Sequence, residues 1–343
     1  MPKDRIIWVD TFKFLGIYAI YIGHFGHAAG NAYDFVFRYH VALFFFAAGF
    51  FAGNYHRENI YRNIIKKIKA ILIPYFIYSL IFILILSITE SWNGEKLFNS
   101  LETAFTGIRN DHNVGSLWFL NCIFVTFVID ILVIKFVKNK WLVSLISFAA
   151  LVYTQKFMGH NPRVEPSWFW NIDSALSFWF FMTAGRCLFT YLNSARAFDI
   201  SDKFSYPLIA ISSVIAALYF YEGPGWLLST ARRVINDKDK TAWFIFMLMY
   251  STIGSLMLII FNVYLAKLLS KFNIFNKLGA STLNLCGLEN TIKLLLPQLL
   301  IIFGLDIVLK NPLSTYLYTF ICLLFAYKTS TLLSKRIPFL PKS

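Results

Sequence analysis

The sequence has few charged residues, and its cysteines follow no pattern that suggests cross-linking or metal binding. Charged residues make up only 15% of the 343 residues, whereas about a quarter is usual in a soluble domain. The cysteines lie singly inside apolar runs, at Cys122, Cys187, Cys286 and Cys322. Without paired spacing they predict neither a disulfide framework nor a zinc site, and no metal is expected.

The chain also shows no removable signal peptide, soluble domain or nucleic-acid-binding module. The first apolar run continues to about residue 30 without a small-residue cleavage site. The longest predicted loops, about 89–114 and 222–241, are too short to form a core of their own. The net charge of +14 is dispersed between apolar runs, so nucleic acid is not an expected partner.

Apolar residues are abundant and are grouped in lengths that suit membrane helices. Hydrophobic residues make up 57% and aromatic residues 19% of the chain. Windows of about 19 to 22 apolar residues recur, which is helix length and not the short alternation of a barrel strand. The predicted spans are about 12–30, 35–53, 70–88, 115–134, 141–156, 168–188, 204–221, 242–266, 280–302 and 313–333. The sequence therefore predicts an all-α integral membrane protein with about ten transmembrane helices, in one transmembrane domain over 1–343.

Basic residues are distributed unevenly between the two sets of predicted loops. An even number of spans places both termini on one side, and that side carries about twice as many lysines and arginines as the other. The positive-inside rule therefore predicts cytoplasmic termini. We expect a multi-pass protein of the cytoplasmic membrane, in contact with membrane lipids.

Among the cations, Lys13, Arg38 and Lys293 are assigned to predicted spans and not to loops, and they are functional candidates for that reason. At 100° per residue, Lys13 shares one helical stripe with Asp10 and His24. His24 should lie near or past the bilayer midplane, with the other two at the cytoplasmic rim. Two interpretations are open: interface residues with a hydrogen-bonded interhelical histidine, or a histidine that serves as general base or nucleophile.

Two further groups of polar residues lie in or near the spans. Glu289 and Lys293 are four residues apart in the ninth span, an order that favours an ion pair. Glu289 has a predicted depth close to that of His24, so it would share a cavity with His24 or form a purely structural pair. Arg38 and His40, near the outer start of the second span, would line a path for an acceptor or anchor the rim.

Several motifs in the first 135 residues resemble those of the membrane acyltransferase-3 superfamily. "VDTFKFLGIYAIYIGH" places Asp10, Lys13 and His24 on the family's Asp, basic residue and His of the first helix. "YHVALFFFAAGFF" resembles its aromatic run ending in Ser-Gly-Phe or a variant, and His40 matches a subgroup resembling fucose O-acetylases. "KKIKAILIPYF" and "SLWFLNCIF" resemble the starts of its third and fourth helices, and "LGASTLNLCGLE" resembles a segment near its end.

The chain departs from the family pattern at three places. Lys13 stands where the first helix often has arginine, Lys66 and Lys69 stand where many members have two arginines, and Glu289 stands where a histidine is common. These departures affect the subgroup and the acceptor more than the class of reaction.

The resemblance implies transfer of an acyl group, usually acetyl from acetyl-CoA, to a hydroxyl of a surface polysaccharide or lipid-linked sugar in a bacterial inner membrane. It implies His24 as base or acyl carrier, Lys13 as a cation for the thioester or a donor phosphate, and Asp10 as the partner of Lys13. Lys66 and Lys69 would hold phosphates of CoA or only set topology. A secondary transporter and a scaffold subunit without chemistry of its own are the alternatives.

Overall fold

The computed structural model describes residues 5–52, 59–111, 115–194, 205–221, 225–235, 239–305, 309 and 311–342, and these form helices and connecting turns without a strand. The all-α prediction is therefore confirmed for this part of the chain. The α-helices are α1 (Ile7–Gly23), α2 (Asn31–Phe37), α3 (His40–Gly49), α4 (Ile60–Lys67), α5 (Ile73–Thr89), α6 (Gly94–Thr106), α7 (Trp118–Phe136), α8 (Lys140–Phe157), α9 (Ile172–Ser194), α10 (Ser205–Tyr221), α11 (Gly225–Val234), α12 (Lys240–Leu269), α13 (Asn273–Ala280), α14 (Thr282–Ile302) and α15 (Pro312–Arg336).

Several helices are long and apolar enough to cross a membrane. Among the described residues there are five such segments, Ile60–Thr89, Gly115–Phe136, Lys240–Leu269, Thr282–Ile302 and Pro312–Arg336. A helix satisfies its own backbone hydrogen bonds, which an apolar medium requires. The protein is a multi-pass membrane protein, whereas the count of ten spans and the side of the termini stay predictions.

The first two predicted spans differ from the helices that the structure has. Helix α1 ends at Gly23, a 3₁₀ turn follows at Gly26–Ala29, and two short helices, α2 and α3, replace the predicted span over 35–53. The predicted bounds 12–30 are therefore wrong; residue 53 lies outside the described residues. Gly26 and Gly30 have φ of 61° and 58°, a left-handed backbone that ends a right-handed helix and that hydropathy cannot reveal.

The third predicted span begins earlier than expected because α4 and α5 are joined without a break. A π-helical turn, Ile68–Leu72, connects them, so the whole segment Ile60–Thr89 is one helix. Pro74 follows the turn and has no N–H to donate to the preceding turn, which accounts for the local change in hydrogen bonding. The basic residues before Pro74 are therefore helical and do not lie in a loop.

The chain forms two compact units. The first contains Met1–Ala47, Leu188–Ala280 and Leu309–Thr319, and the second contains Ala48–Cys187, Ser281–Val308 and Phe320–Ser343. In the first unit α1 packs against α12 and α13, and α10 packs against α12. In the second unit α5 packs against α6 and α14, and α7 packs against α4.

A buried ion pair ties α7 to α9 within the second unit. Asp130 is fully buried and accepts a hydrogen bond from Nε1 of Trp179 over 2.9 Å. Its other carboxylate oxygen pairs with the guanidinium of Arg186. Sequence patterning does not single out Asp130, although a lone carboxylate within a predicted span is a signal that could have found it.

Replacing Asp130 by alanine should destabilise the protein by about 3–5 kcal/mol, because it leaves the guanidinium of Arg186 buried without its partner. The measurement is the apparent melting temperature of the detergent-solubilised protein. Glu102, exposed on α6, provides the matched control as Glu102→Ala, which should change little. Equal loss in both variants would contradict a structural role for the pair.

Candidate functional site

A cluster of three charges lies at the start of α1. Nζ of Lys13 lies 2.8 Å from Oδ1 of Asp10, and Nε of Arg5 lies 2.5 Å from Oδ2. The Asp10 side chain is only 9% exposed, whereas Lys13 is 31% and Arg5 37% exposed. One buried carboxylate therefore holds two accessible cations, and the cluster keeps a positive charge that can attract an anion.

The wall behind this cluster is helix α13. Oγ1 of Thr11 donates to Oδ1 of Asn276 over 2.5 Å. A Cβ atom built on Gly279 would overlap the backbone carbonyl of Asp10. The two helices thus approach backbone to backbone beside the charged residues, and only glycine permits that approach. Gly279 is the glycine of the "LGASTL" motif, so this motif sets the position of α1.

A further cation lies near the same end of α1. The ammonium of Lys267 lies 5.3 Å from the centroid of the Trp8 ring, and it donates to the backbone carbonyl of Leu192. Nε1 of Trp8 donates to Oδ1 of Asn193 over 3.1 Å. Sequence patterning treats Arg5 and Lys267 only as topology signals. The contact of Lys267 with Trp8 depends on tertiary packing, and Arg5 lies before the first helical residue, where helical spacing does not apply.

His24 lies at the other end of α1. It is the residue that caps the helix after Gly23, and its side chain is exposed. Its backbone N–H donates to the carbonyls of Ile20 and Tyr21. Eleven residues separate it from Lys13, a rise of about 16 Å. The structure therefore places the predicted catalytic residues along one helix, with Asp10 and Lys13 together and His24 apart from them.

Arg38 and His40 lie where α2 meets α3. Nδ1 of His40, which is buried, lies 2.6 Å from the carbonyl of Val36. The guanidinium of Arg38 lies 4.9 Å from the ring centroid of Tyr219, and its Nη1 lies 3.5 Å from the hydroxyl of Tyr250. Contacts with α2, α10 and α12 therefore hold both side chains in place.

Lys66 and Lys69 belong to the second unit, at the joint between α4 and α5. Both side chains are exposed. Lys67, between them, lies 3.6 Å from the ring centroid of Phe127 and is attracted by the charge of Asp130. Of the three lysines, Lys66 and Lys69 are thus the ones presented outward.

Glu289 and Lys293 form the ion pair on α14 that their spacing predicts. Oε1 of Glu289, a fully buried residue, lies 3.7 Å from Nζ of Lys293. Five residues before Glu289, Oδ1 of Asn284 accepts a hydrogen bond from the hydroxyl of Tyr78 over 2.9 Å. A Cβ on Gly287 would overlap the same tyrosine ring, so α14 and α5 pack closely beside the pair.

Two of the motif residues have packing roles that the structure explains. A Cβ on Gly49 would overlap the backbone carbonyl of Met182, so this glycine lets α3 approach α9. The hydroxyl of Tyr75, in the "PYF" motif, donates to the carbonyl of Ala104 over 2.6 Å and anchors the end of α6.

A polar cavity of about 530 Å³ lies between the end of α5 and α6, lined by Glu90, Ser91, Trp92, Asn93, Glu95, Lys96, Asn99, Ser100, Thr103 and Asp111. None of the predicted site residues lines it. The motifs and the cavity therefore point to different places, and the motif residues carry the functional argument because their chemistry is specific.

Replacing Gly279 by alanine should destabilise the protein by about 1–3 kcal/mol, since the added methyl group meets backbone that cannot move aside. The melting temperature in detergent measures this. Gly94→Ala is the control, because a Cβ at Gly94 meets no atom within 4 Å. An unchanged melting temperature in Gly279→Ala would refute the close approach of α13 to α1.

The comparison with known families covers almost the whole chain. Residues 6–331 match the family described as acyltransferase domain, the acyltransferase-3 family. No curated protein and no solved structure matches the chain significantly. The match includes Asp10 and Lys13 of α1 and the ion pair of α14, and it does not favour the transporter alternative. The chain therefore belongs to the acyltransferase-3 family of membrane acyltransferases.

Proposed function

We propose that the protein transfers an acetyl group from acetyl-CoA to a hydroxyl of a surface polysaccharide or a lipid-linked sugar, in a bacterial inner membrane. The observation that carries the proposal is the layout of α1. An Asp10–Lys13 ion pair lies at one end of the helix and an exposed His24 lies at the other. The chain that has this layout belongs to a family of acyltransferases.

The charged end of α1 is proposed to bind the donor. Acetyl-CoA carries phosphates, and Arg5 and Lys13 together exceed the single charge of Asp10, so the cluster favours phosphate oxygens. Lys13 is too far from His24, at about 16 Å, for both to contact one thioester carbonyl. We therefore assign Lys13 to a donor phosphate, with Asp10 fixing its position, and let the extended pantetheine arm carry the thioester toward His24.

Lys66 and Lys69 are proposed as further donor-binding residues. They are exposed and about one helical turn apart, with Lys66 just before the π-helical turn and Lys69 within it. Ammonium groups so placed can bind phosphate oxygens as point charges. The positive-inside rule alone would also explain basic residues here. The test of these two lysines is therefore the affinity for acetyl-CoA and not membrane insertion.

His24 is proposed to act in the transfer step itself, as a general base or as a carrier of the acetyl group. As a base, its imidazole takes the proton from the acceptor hydroxyl while the oxygen attacks the thioester carbonyl. The C–S bond breaks, the thiolate of CoA takes up the proton, and the products are the acetyl ester and free CoA. In the covalent variant the imidazole itself accepts the acetyl group first and the hydroxyl then removes it. Both routes require His24.

Two pairs of residues, each within its own unit, are proposed to contact the acceptor: Arg38 and His40 in the first unit, and Glu289 and Lys293 in the second. A buried carboxylate such as Glu289 accepts hydrogen bonds from sugar hydroxyls, and its contact with Lys293 holds it in place. Arg38 adds a donor that its tyrosine neighbours hold in place. These roles predict a changed KM for the acceptor when the residues are replaced.

Replacing His24 by alanine should lower acetyl transfer about 10²- to 10⁴-fold, because a group that moves the proton or the acyl group is lost. Membranes containing the variant are incubated with radiolabelled acetyl-CoA, and the label on glycan and on protein is measured. His27→Ala is the control, since His27 is a neighbouring exposed histidine. Near-normal transfer in His24→Ala with intact protein would refute the assignment, and label that stays on the wild-type protein identifies the covalent route.

Replacing Lys13 by alanine should raise the KM for acetyl-CoA about tenfold, because one charge-assisted contact with phosphate is lost. Lys13→Arg keeps the cation and should retain most of the donor affinity. The KM of each variant for acetyl-CoA is compared with the wild type by initial rates. The same KM in both variants would argue against a charge role for this position.

A further inference from the structure

Two arginines meet in the second unit, on the loop before α7 and the loop before α9. Nη1 of Arg109 donates to the backbone carbonyl of Arg163 over 2.7 Å. The Arg109 guanidinium lies 4.7 Å from the ring centroid of Trp118. The Arg163 guanidinium lies 5.2 Å and 5.7 Å from the ring centroids of Phe181 and Phe178. Aromatic faces therefore hold both cations in place.

These guanidiniums have no acidic partner in the described part of the chain, where no carboxylate oxygen lies within 4.0 Å of either. Within that same part, Nη2 of Arg163 is buried without a hydrogen bond. Burial lowers the pKa of Arg163 to about 10 and also lowers the pKa of Arg109. Asp173, a buried carboxylate of this unit, bonds instead to His160 and to the N–H of Ser167. An anion would offset this charge.

Buried amides fix the loop that carries Arg109. Nδ2 of Asn171 donates to the carbonyl of Gly107 and to Oδ1 of Asn121, over 2.8 Å and 2.9 Å. Oδ1 of Asn171 accepts from the backbone N–H of Arg109 over 2.9 Å. Asn171 and Trp170 have φ of 55° and 51°, a strained backbone that persists only where its surroundings impose it. The position of Arg109 is thus set before any ligand arrives.

Exposed aromatic rings surround the same loops. Phe105, Trp168 and Phe169 are 60%, 44% and 43% exposed. Trp170 stacks on Phe169 with 5.0 Å between ring centroids, and its Nε1 donates to the carbonyl of Phe105 over 2.8 Å. Aromatic belts of this kind lie at the level of lipid headgroups, which is also the level of lipid phosphates.

We propose that Arg109 and Arg163 form a binding site for the phosphates of a lipid-borne diphosphate. Guanidinium groups bind phosphate oxygens with charge-assisted hydrogen bonds, and these two arginines, on loops joined by the hydrogen bond from Arg109 to Arg163, supply two cations for two phosphates. In the predicted topology these loops lie on the side opposite the termini. The ligand is the lipid carrier of the sugar acceptor, an identification that rests on the proposed function.

Isothermal titration calorimetry of the full-length protein in neutral detergent tests the site, with farnesyl diphosphate as the probe. The wild type should bind it, and Arg163→Gln and Arg109→Gln should each weaken binding about tenfold or more. Lys96→Gln is the matched control, because Lys96 is a cation of the same unit that already has a carboxylate partner, Glu90. The control should bind within about twofold of the wild type.

Competing ligands separate the possible sources of phosphate. Inorganic pyrophosphate should bind more weakly than farnesyl diphosphate, and phosphatidylglycerol should compete poorly. Equal competition by phosphatidylglycerol would overturn the carrier as ligand, and equal binding by wild type and both arginine variants would overturn the site. If Arg163→Gln does not fold, as shown by the loss of its melting transition, the binding of the probe by Arg109→Gln tests the site, because the Arg109 side chain is less enclosed. His24→Ala should bind the probe like the wild type, so failure of acetyl transfer and failure of this site are distinguishable.

Discussion

A charged group that is buried away from water destabilises the fold unless an opposite charge or another partner contacts it, and this constraint applies in both units. Three buried carboxylates each have one: Asp10 has Arg5 and Lys13, Asp130 has Arg186, and Glu289 has Lys293. The guanidiniums of Arg38 and Arg163 rest instead on aromatic rings. Where the chain keeps charge in excess, the excess is positive, which suits a protein whose proposed donor and acceptor carrier are both anionic.

The length of α1 separates the ion cluster from His24. Its 17 residues span about 25 Å, so in the proposed function the ion cluster and His24 contact different parts of a substrate and not one atom. Gly279 and Thr11 fix the charged end against α13, while the other end stops at a glycine-rich turn. A long, flexible donor is the kind of molecule that can use both ends at once.

The membrane-length helices in the second half of the chain follow directly from hydropathy, because a long apolar run has no alternative to a helix in lipid. The predicted span 242–266 and the observed α12 differ by only a few residues. The first two spans could not be predicted as well, because φ at Gly26 and Gly30 depends on local packing. The pairing of Asp10 with Lys13 was visible in their spacing. The contact of Arg5 with Asp10 was not, because Arg5 precedes the helix and helical spacing does not apply to it. The contacts of Asn276 and of the arginines on the loops were not visible either, because they join residues far apart in sequence.

The π-helical turn at Ile68–Leu72 has a consequence for how this protein can diverge. A π turn holds about one residue more than an α turn, so it rotates the residues before the turn by about 100° relative to the residues after it. The directions in which the basic face of α4 and the apolar surface of α5 point are therefore independent of each other, although the two belong to one continuous helix. In the proposed donor-binding role, substitutions can therefore change the cationic end of this helix without disturbing how the membrane segment packs against its neighbours.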